Sequence, residues 1–228
     1  MSTIFISGGS KGIGLAIAKK YYAAGWQVGI SARGKEALNA AKEEMPKIIT
    51  FSCDMSRKDE VKLLGKKALD KMGDIDILVN NAGVFMQGTL LDEPEDAFES
   101  MMALNLNSAY YLTKIIAPQM RTNKQGAIVN ICSVASIKAY PGGGSYGVSK
   151  YALLGFSKNL RSELTEHGVR VISIMPGAAF TASWEGIDID PERLMPASDI
   201  ADIVWASTDL SKRSVVEDIV IRPQLGDL

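Results

Sequence analysis

Tyr146 and Lys150 stand four residues apart in the segment Tyr146-Gly147-Val148-Ser149-Lys150, and Ser133 lies thirteen residues before the tyrosine. Residues four apart share one face of a helix, so this spacing sets a phenol beside an ammonium. A hydroxyl brought in from a neighbouring strand end would complete the equipment for moving a proton at a carbonyl oxygen. A free phenol titrates near pH ~10. A neighbouring ammonium favours the phenolate, so Lys150 is expected to draw the Tyr146 pKa down. Spacing alone does not make the pair catalytic. Tyr110 and Lys114 repeat it in an ordinary helical stretch, where a phenol simply packs along a lysine stem.

The elements that must position these groups alternate along the chain. Short apolar runs read as strands at 3–7, 27–32, 47–52, 75–80, 127–132, 169–175 and 217–221. Several are apolar almost throughout, as parallel strands covered on both faces are. Between them, helical periodicity covers 13–24, 35–44, 58–72, 95–122, 146–166 and 198–210. Strand and helix in repeated alternation predict an α/β fold, a Rossmann-like doubly wound sheet of seven parallel strands with helices on both faces. Ser56 is expected to cap the third helix, and Gly25 and Gly168 to end helices. No linker, repeat or low-complexity tract divides residues 1–228, which read as a single domain.

Bulk properties narrow the function classes. Of 228 residues, 46% are apolar and 22% charged, the formal net charge is −1, and the basic residues are scattered. Neither a nucleic-acid footprint nor a membrane-surface patch is present in that distribution. Met1-Ser2-Thr3 runs straight into Ile4-Phe5-Ile6 with no basic segment or long apolar stretch, so a soluble cytoplasmic protein is expected. The two cysteines, Cys53 and Cys132, end apolar runs and read as buried thiols, and the single histidine, His167, has no ligand partners in sequence. No metal site is expected.

Ser7-Gly8-Gly9-Ser10-Lys11-Gly12-Ile13-Gly14 follows the first strand and opens the first helix. Backbone N–H groups at a helix N-terminus suit a phosphate, and glycines let main chain approach a diphosphate. The spacing is Gly-x3-Gly-x-Gly, neither G-x-G-x-x-G nor a P-loop. This loop, Asn80-Asn81-Ala82-Gly83, Ser133, and Tyr146 with Lys150 occur in that order at compatible distances. Together they resemble the short-chain dehydrogenase/reductase family, in its shorter, single-domain branch, over nearly the whole chain.

The resemblance implies a nicotinamide cofactor held by Gly8, Ser10, Lys11, Gly12, Ile13 and Gly14, by Asn81, Ala82 and Gly83, by Tyr146 and Lys150, and by Pro176, Gly177 and Thr181. It implies Ser133, Tyr146, Lys150 and Asn105 as catalytic residues. Asn105 would hold a water linking the lysine to solvent, a position it matches better than Asn107 does; a buried structural hydrogen bond is the competing account. Asp54 would meet the adenine amino group, or simply start the helix behind it. The second strand ends in Ser31-Ala32-Arg33, with no carboxylate for a ribose hydroxyl. Arg33 and Lys11 are instead suited to a 2′-phosphate, so NADP(H) is expected over NAD(H).

The expected reaction is reversible reduction of a small or apolar carbonyl compound. A 3-oxoacyl thioester reductase and a non-catalytic NADP-binding regulator are the alternatives. Phe85, Met86, Tyr140, Phe180 and Trp184 are candidates to line the substrate pocket, under a short cover between Ala178 and Pro196. Gly142-Gly143-Gly144 is expected to let that edge of the site move. Relatives acting on acyl carrier protein carry basic residues where this chain has Ala127 and His167, although Lys124, Lys158 and Arg161 lie nearby. The resemblance also implies a homodimer or homotetramer formed through the helices around 105–122 and 146–166.

Overall fold

The computed structural model describes residues 1–181 and 189–227. Seven strands form one wholly parallel sheet: β1 (Thr3–Ser7), β2 (Gln27–Ala32), β3 (Ile49–Ser52), β4 (Ile77–Asn80), β5 (Gly126–Ile131), β6 (Val169–Pro176) and β7 (Asp218–Ile221). Their order is β3-β2-β1-β4-β5-β6-β7. All five residues of β1 and all six of β5 are buried, which is why these strands carry apolar runs without alternation.

The helices α1 (Gly12–Ala23), α2 (Lys35–Glu44) and α7 (Ala197–Thr208) cover one face. On the other lie α3 (Lys58–Met72), α5 (Ser108–Asn123) and α6 (Gly144–Leu164). Each buries a stripe at helical spacing. In α3 it is Val61, Leu64, Gly65, Ala68 and Met72, and in α1 it is Gly14, Ile17, Ala18 and Tyr21. Gly25 and Gly168 take positive φ just beyond α1 and the turn after α6, and so end those helices as expected.

Four local expectations are corrected. The stretch 95–122 is not one helix: α4 (Ala97–Met102) passes through a π-helical turn, Ala103–Asn107, before α5 begins. Ser108 N–H reaches back five residues to the Ala103 carbonyl. The Ser108 hydroxyl takes the Leu104 carbonyl at 2.5 Å, so a side chain supports the wider turn. Ser56 does not cap α3; the residue before that helix is Arg57, and Ser56 instead donates both its N–H and its hydroxyl to Asp54. The third strand starts at Ile49 rather than Lys47, because Ile48 N–H closes a turn onto Met45. The helix carrying Tyr146 begins two residues earlier, at Gly144.

The chain leaves β1 toward β2 on one side and returns to β4 on the other. The β1 and β4 loops therefore part at the carboxyl edge of the sheet, the place where open α/β folds form a crevice. Among the described residues no helix is long and apolar enough to cross a membrane.

Candidate active site

A cavity of about 540 Å³ opens at that crevice, along the carboxyl ends of β1, β4, β5 and β6. Its wall includes Gly8, Lys11, Gly12 and Ile13 from the first loop, Asn81, Ala82 and Gly83 after β4, and Ser133, Tyr146 and Lys150. Pro176, Gly177 and Thr181 complete it. Residues as far apart in the chain as Gly8 and Asp227 are thus gathered in one place. Ser10, Gly14, Arg33, Asp54 and Asn105 do not line the cavity.

The glycine loop folds onto the β4 loop. A Cβ on Gly14 would stand 2.4 Å from the Gly8 carbonyl oxygen and 2.5 Å from Asn81 Nδ2, so only glycine permits this approach. Asn81 Nδ2 donates to the carbonyls of Ser7 and Gly8, each at 3.0 Å. Ser7 is a clamp that the motif reading passed over. Its Oγ accepts from the N–H groups of Asn81 and Ala82, both at 3.1 Å. The N-terminus of α1 has no side-chain cap and no acidic residue in its first turn, and its first residues, Gly12 and Ile13, line the cavity. These features fit a phosphate-bearing cofactor.

Arg33 stands outside the cavity, beyond the end of β2, where its charge faces Asp54. The Asp54 carboxyl is held below its usual range chiefly by the Ser56 hydroxyl, against an opposing effect of burial, with Arg33 a smaller contributor. Asp54 Oδ1 accepts both Ser56 donors.

At the other end, Ser133 follows β5 and caps a short turn. Its Oγ accepts from Ala135 N–H at 3.1 Å, and its N–H donates to Ser136 Oγ at 3.2 Å. The hydroxyl proton remains available to a second acceptor. Lys150 is buried, only 6% exposed, and its Nζ donates to the Ile131 carbonyl at 2.9 Å. It also lies 5.7 Å from the centre of the Tyr146 ring.

The electrostatics differ from the sequence expectation. Burial pushes the Tyr146 phenol above its ordinary value; the Ser133 hydroxyl draws it down and Cys132 opposes that. Lys150 is itself pulled below its ordinary value by burial. In this enclosed site desolvation is the largest effect on both groups, and on the phenol it opposes the downward pull expected from a neighbouring ammonium.

Asn105 sits in the π-helical turn and is almost fully buried. Its Oδ1 accepts from Val84 N–H at 2.7 Å, and its Nδ2 donates to the Val84 carbonyl at 3.0 Å and to Ser149 Oγ at 2.9 Å. Both amide protons are committed, so the side chain staples the β4 loop to α6.

Phe85 and Tyr140 line the cavity as expected, and the Phe85 ring meets that of Tyr146 edge-on at 4.9 Å. Met86 and Phe180 do not line it, and Phe180 is 56% exposed. Trp184 lies outside the described residues. Val134, Lys138, Ala178 and Asp227 join the wall; Val134 adjoins Ser133 and Ala178 adjoins Gly177, whereas Lys138 and Asp227 stand in no motif.

The comparisons with known proteins agree with this geometry. The family model for short chain dehydrogenase matches residues 2–191. Carbonyl reductase family member 4 of Xenopus tropicalis is 33% identical over 185 residues, 81% of this chain and 78% of that protein. The 3-oxoacyl-(acyl-carrier-protein) reductase of a Synechocystis species is 34% identical over 191 residues, 82% of this chain and 77% of that one. Among solved structures, a metagenomic short-chain oxidoreductase in complex with NADP superposes with a TM-score of 0.86 at 31% identity, covering 98% of this chain and 97% of the other.

Proposed function

We propose a function from one premise: this chain belongs to the short-chain dehydrogenase family and is an oxidoreductase. The proposed reaction is the reversible reduction of a small or apolar carbonyl compound with NADP(H), carried out by one domain spanning residues 1–228. The observation that carries it is the convergence of Ser133, Tyr146 and Lys150 on one cavity whose far end is the glycine loop.

When bound, the nicotinamide supplies hydride. The protein's residues manage the proton. Tyr146, kept protonated by burial, donates to the carbonyl oxygen. Ser133, its oxygen already held by Ala135 N–H, turns its proton to that same oxygen and stabilises the developing charge. Lys150 keeps one ammonium proton on Ile131 and has two left, for ribose hydroxyls and for passing a proton back to the phenol. Asn105 fixes Val84 against α6 through its side chain and is the residue proposed to hold the water that links the lysine to solvent.

The preference for NADP(H) rests on Ala32 and Arg33 at the end of β2, on Lys11 in the cavity wall, and on a solved relative that binds NADP. The acyl-thioester alternative is supported by the similarity to a carrier-protein reductase. It is weakened by the surface that would meet an acidic carrier. Lys158 is paired with Asp218 and Arg161 with Glu217, each at 2.6 Å. A homo-oligomer is supported by exposed apolar groups on the outer faces of α5 and α6, where Tyr110, Val148 and Tyr151 are 39–45% exposed.

The test is NADPH oxidation against ketones, aldehydes, diketones, quinones and acetoacetyl thioesters, repeated with NADH and with Tyr146→Phe. Turnover of simple carbonyls with NADPH, lost in Tyr146→Phe, is the expected outcome. Binding of NADPH with no turnover across the panel would favour the regulator. Equal use of NADH would overturn the cofactor assignment.

A further inference from the structure

The helix that carries Tyr146 and Lys150 has no cap of its own. Gly143 precedes it, and its first turn contains no acidic residue. Four N–H groups at such an end need partners. One partner comes from a distant loop: Glu93 accepts from the Ser145 N–H at 3.1 Å through Oε2 and from the Ser145 hydroxyl through Oε1. Ser145 is fully buried and immediately precedes Tyr146.

The surrounding main chain is shaped to admit this carboxylate. A Cβ on Gly144 would stand 2.5 Å from Glu93 Oε2 and 2.7 Å from the Gly88 carbonyl oxygen. Gly88 N–H in turn donates to the Gly142 carbonyl at 3.1 Å. Gly142 and Gly144 are thus placed where two loops approach closely. Glu93 itself is held from behind, because its N–H and that of Asp92 both donate to the Thr89 carbonyl.

We infer that Glu93 is a positioning residue for the reaction: by capping α6 at Ser145 it fixes where the Tyr146 phenol stands relative to Ser133. The loop that holds Glu93 begins at Val84 and Phe85, which line the cavity. It therefore grips α6 at three points, through Asn105 on Ser149, through Phe85 on the Tyr146 ring, and through Glu93 on Ser145. Phe85 meets the phenol from the cavity side. Glu93 sets the helix end from which the phenol projects. Small displacements of a proton donor cost rate steeply, whereas the phosphate end of the cofactor is assigned to the glycine loop on the opposite side of the cavity.

This inference rests on reading Tyr146 as the proton donor, so the experiment includes a variant that tests that reading separately. Turnover per NADPH-binding site, carbonyl KM, NADPH affinity by fluorescence and melting temperature are measured for Glu93→Ala, Glu93→Gln, Thr89→Ala and Tyr146→Phe. Glu93→Ala is expected to lower kcat roughly tenfold with NADPH affinity unchanged within about twofold. Glu93→Gln, whose amide oxygen still accepts from Ser145 N–H, is expected to recover most of that loss. Thr89→Ala disturbs the same loop without touching α6 and is expected to keep the parental kcat. Parental kcat in Glu93→Ala, or an equal fall in Thr89→Ala, would overturn the inference while Tyr146→Phe remains inactive. Parental turnover in Tyr146→Phe would instead bring down the underlying reading. Should Glu93→Ala not fold, Ser145→Ala decides: it removes only the hydroxyl contact, a severalfold fall in kcat is expected, and an unchanged kcat overturns the inference.

Discussion

Two tyrosine–lysine pairs in this protein share a sequence spacing and nearly the same local contact. Lys150 Nζ stands 5.7 Å from the centre of the Tyr146 ring, and Lys114 Nζ 5.4 Å from that of Tyr110. Everything else differs. Tyr110 is 39% exposed on the outer face of α5, against Tyr111 and Phe156, and Lys114 is exposed. Tyr146 faces the cavity beside Ser133, under the edge of Phe85, and Lys150 is buried with its ammonium on a strand carbonyl. A helix turn produces the pair; what makes one of them chemical equipment is a low-dielectric surround in which each polar contact counts for more.

The comparison is broken most directly at the phenols. Tyr146→Phe should keep the fold and NADPH binding but lower kcat by roughly 10³-fold, the scale of a general acid, while Tyr110→Phe stays within about twofold of the parent in steady-state NADPH oxidation. Similar losses in the two variants would show that burial does not separate the pairs.

The ammonium groups come next. Lys150→Met is expected to cut kcat/KM by about 10², and Lys114→Met to leave it unchanged. Thermal denaturation should run the other way. Burial penalises the Lys150 charge, so Met of similar length should melt at or above the parental temperature. A lower melting temperature in Lys150→Met would mean that the ammonium chiefly holds the fold together.

A smaller contrast separates the aromatic neighbours. Phe85→Ala removes the ring over Tyr146 and should raise carbonyl KM by about threefold to tenfold with little change in stability, since Phe85 is 37% exposed. Phe156→Ala, beneath Tyr110, should leave the kinetics alone and lower stability by about 1–2 kcal/mol in guanidinium unfolding.

Much of this was legible in the chain. The continuous apolar runs of β1 and β5 and the strand–helix alternation specify a buried parallel sheet, and the ordered set from Gly8 to Lys150 locates the crevice. What the sequence did not show depends on contacts between distant loops. Asn105 reads as a mid-helix polar residue, yet its partners are Val84 and Ser149, and the π-helical turn that aims it carries no local signature. Ser56 has the right type for a cap, but its N–H and hydroxyl both bind the Asp54 carboxylate two residues away, which holds it in the turn before the helix. The sign of the Tyr146 shift failed for a related reason: a neighbouring charge can be read from spacing, whereas burial requires the whole fold.

That burial has a cost at alkaline pH, and the cysteine beside the first pair gives the clearest measure of it. Cys132 is buried next to Ser133 in the cavity wall. Burial pushes its thiol from the ordinary 9.0 up to about 11, with Lys150 drawing it partway back. In the unfolded chain the thiol ionises near 9.0, whereas the folded protein keeps its proton until about 11. Above the lower value the native state binds more protons than the unfolded one, so stability falls as pH rises. It is fully present below pH 9.0 and is lost through about 11, on the order of 2 kcal/mol for this one group. Tyr146, raised by burial, acts in the same direction at higher pH. Lys150, lowered by burial, acts in the opposite direction, because its folded form releases a proton that the unfolded chain retains. Guanidinium unfolding at pH values from 8 upward should therefore show stability falling through this window, and Cys132→Ala should flatten the fall. An equally steep fall in Cys132→Ala would place the alkaline sensitivity elsewhere, with Cys53 or Tyr21, each pushed by burial to about 12, as the groups to replace next.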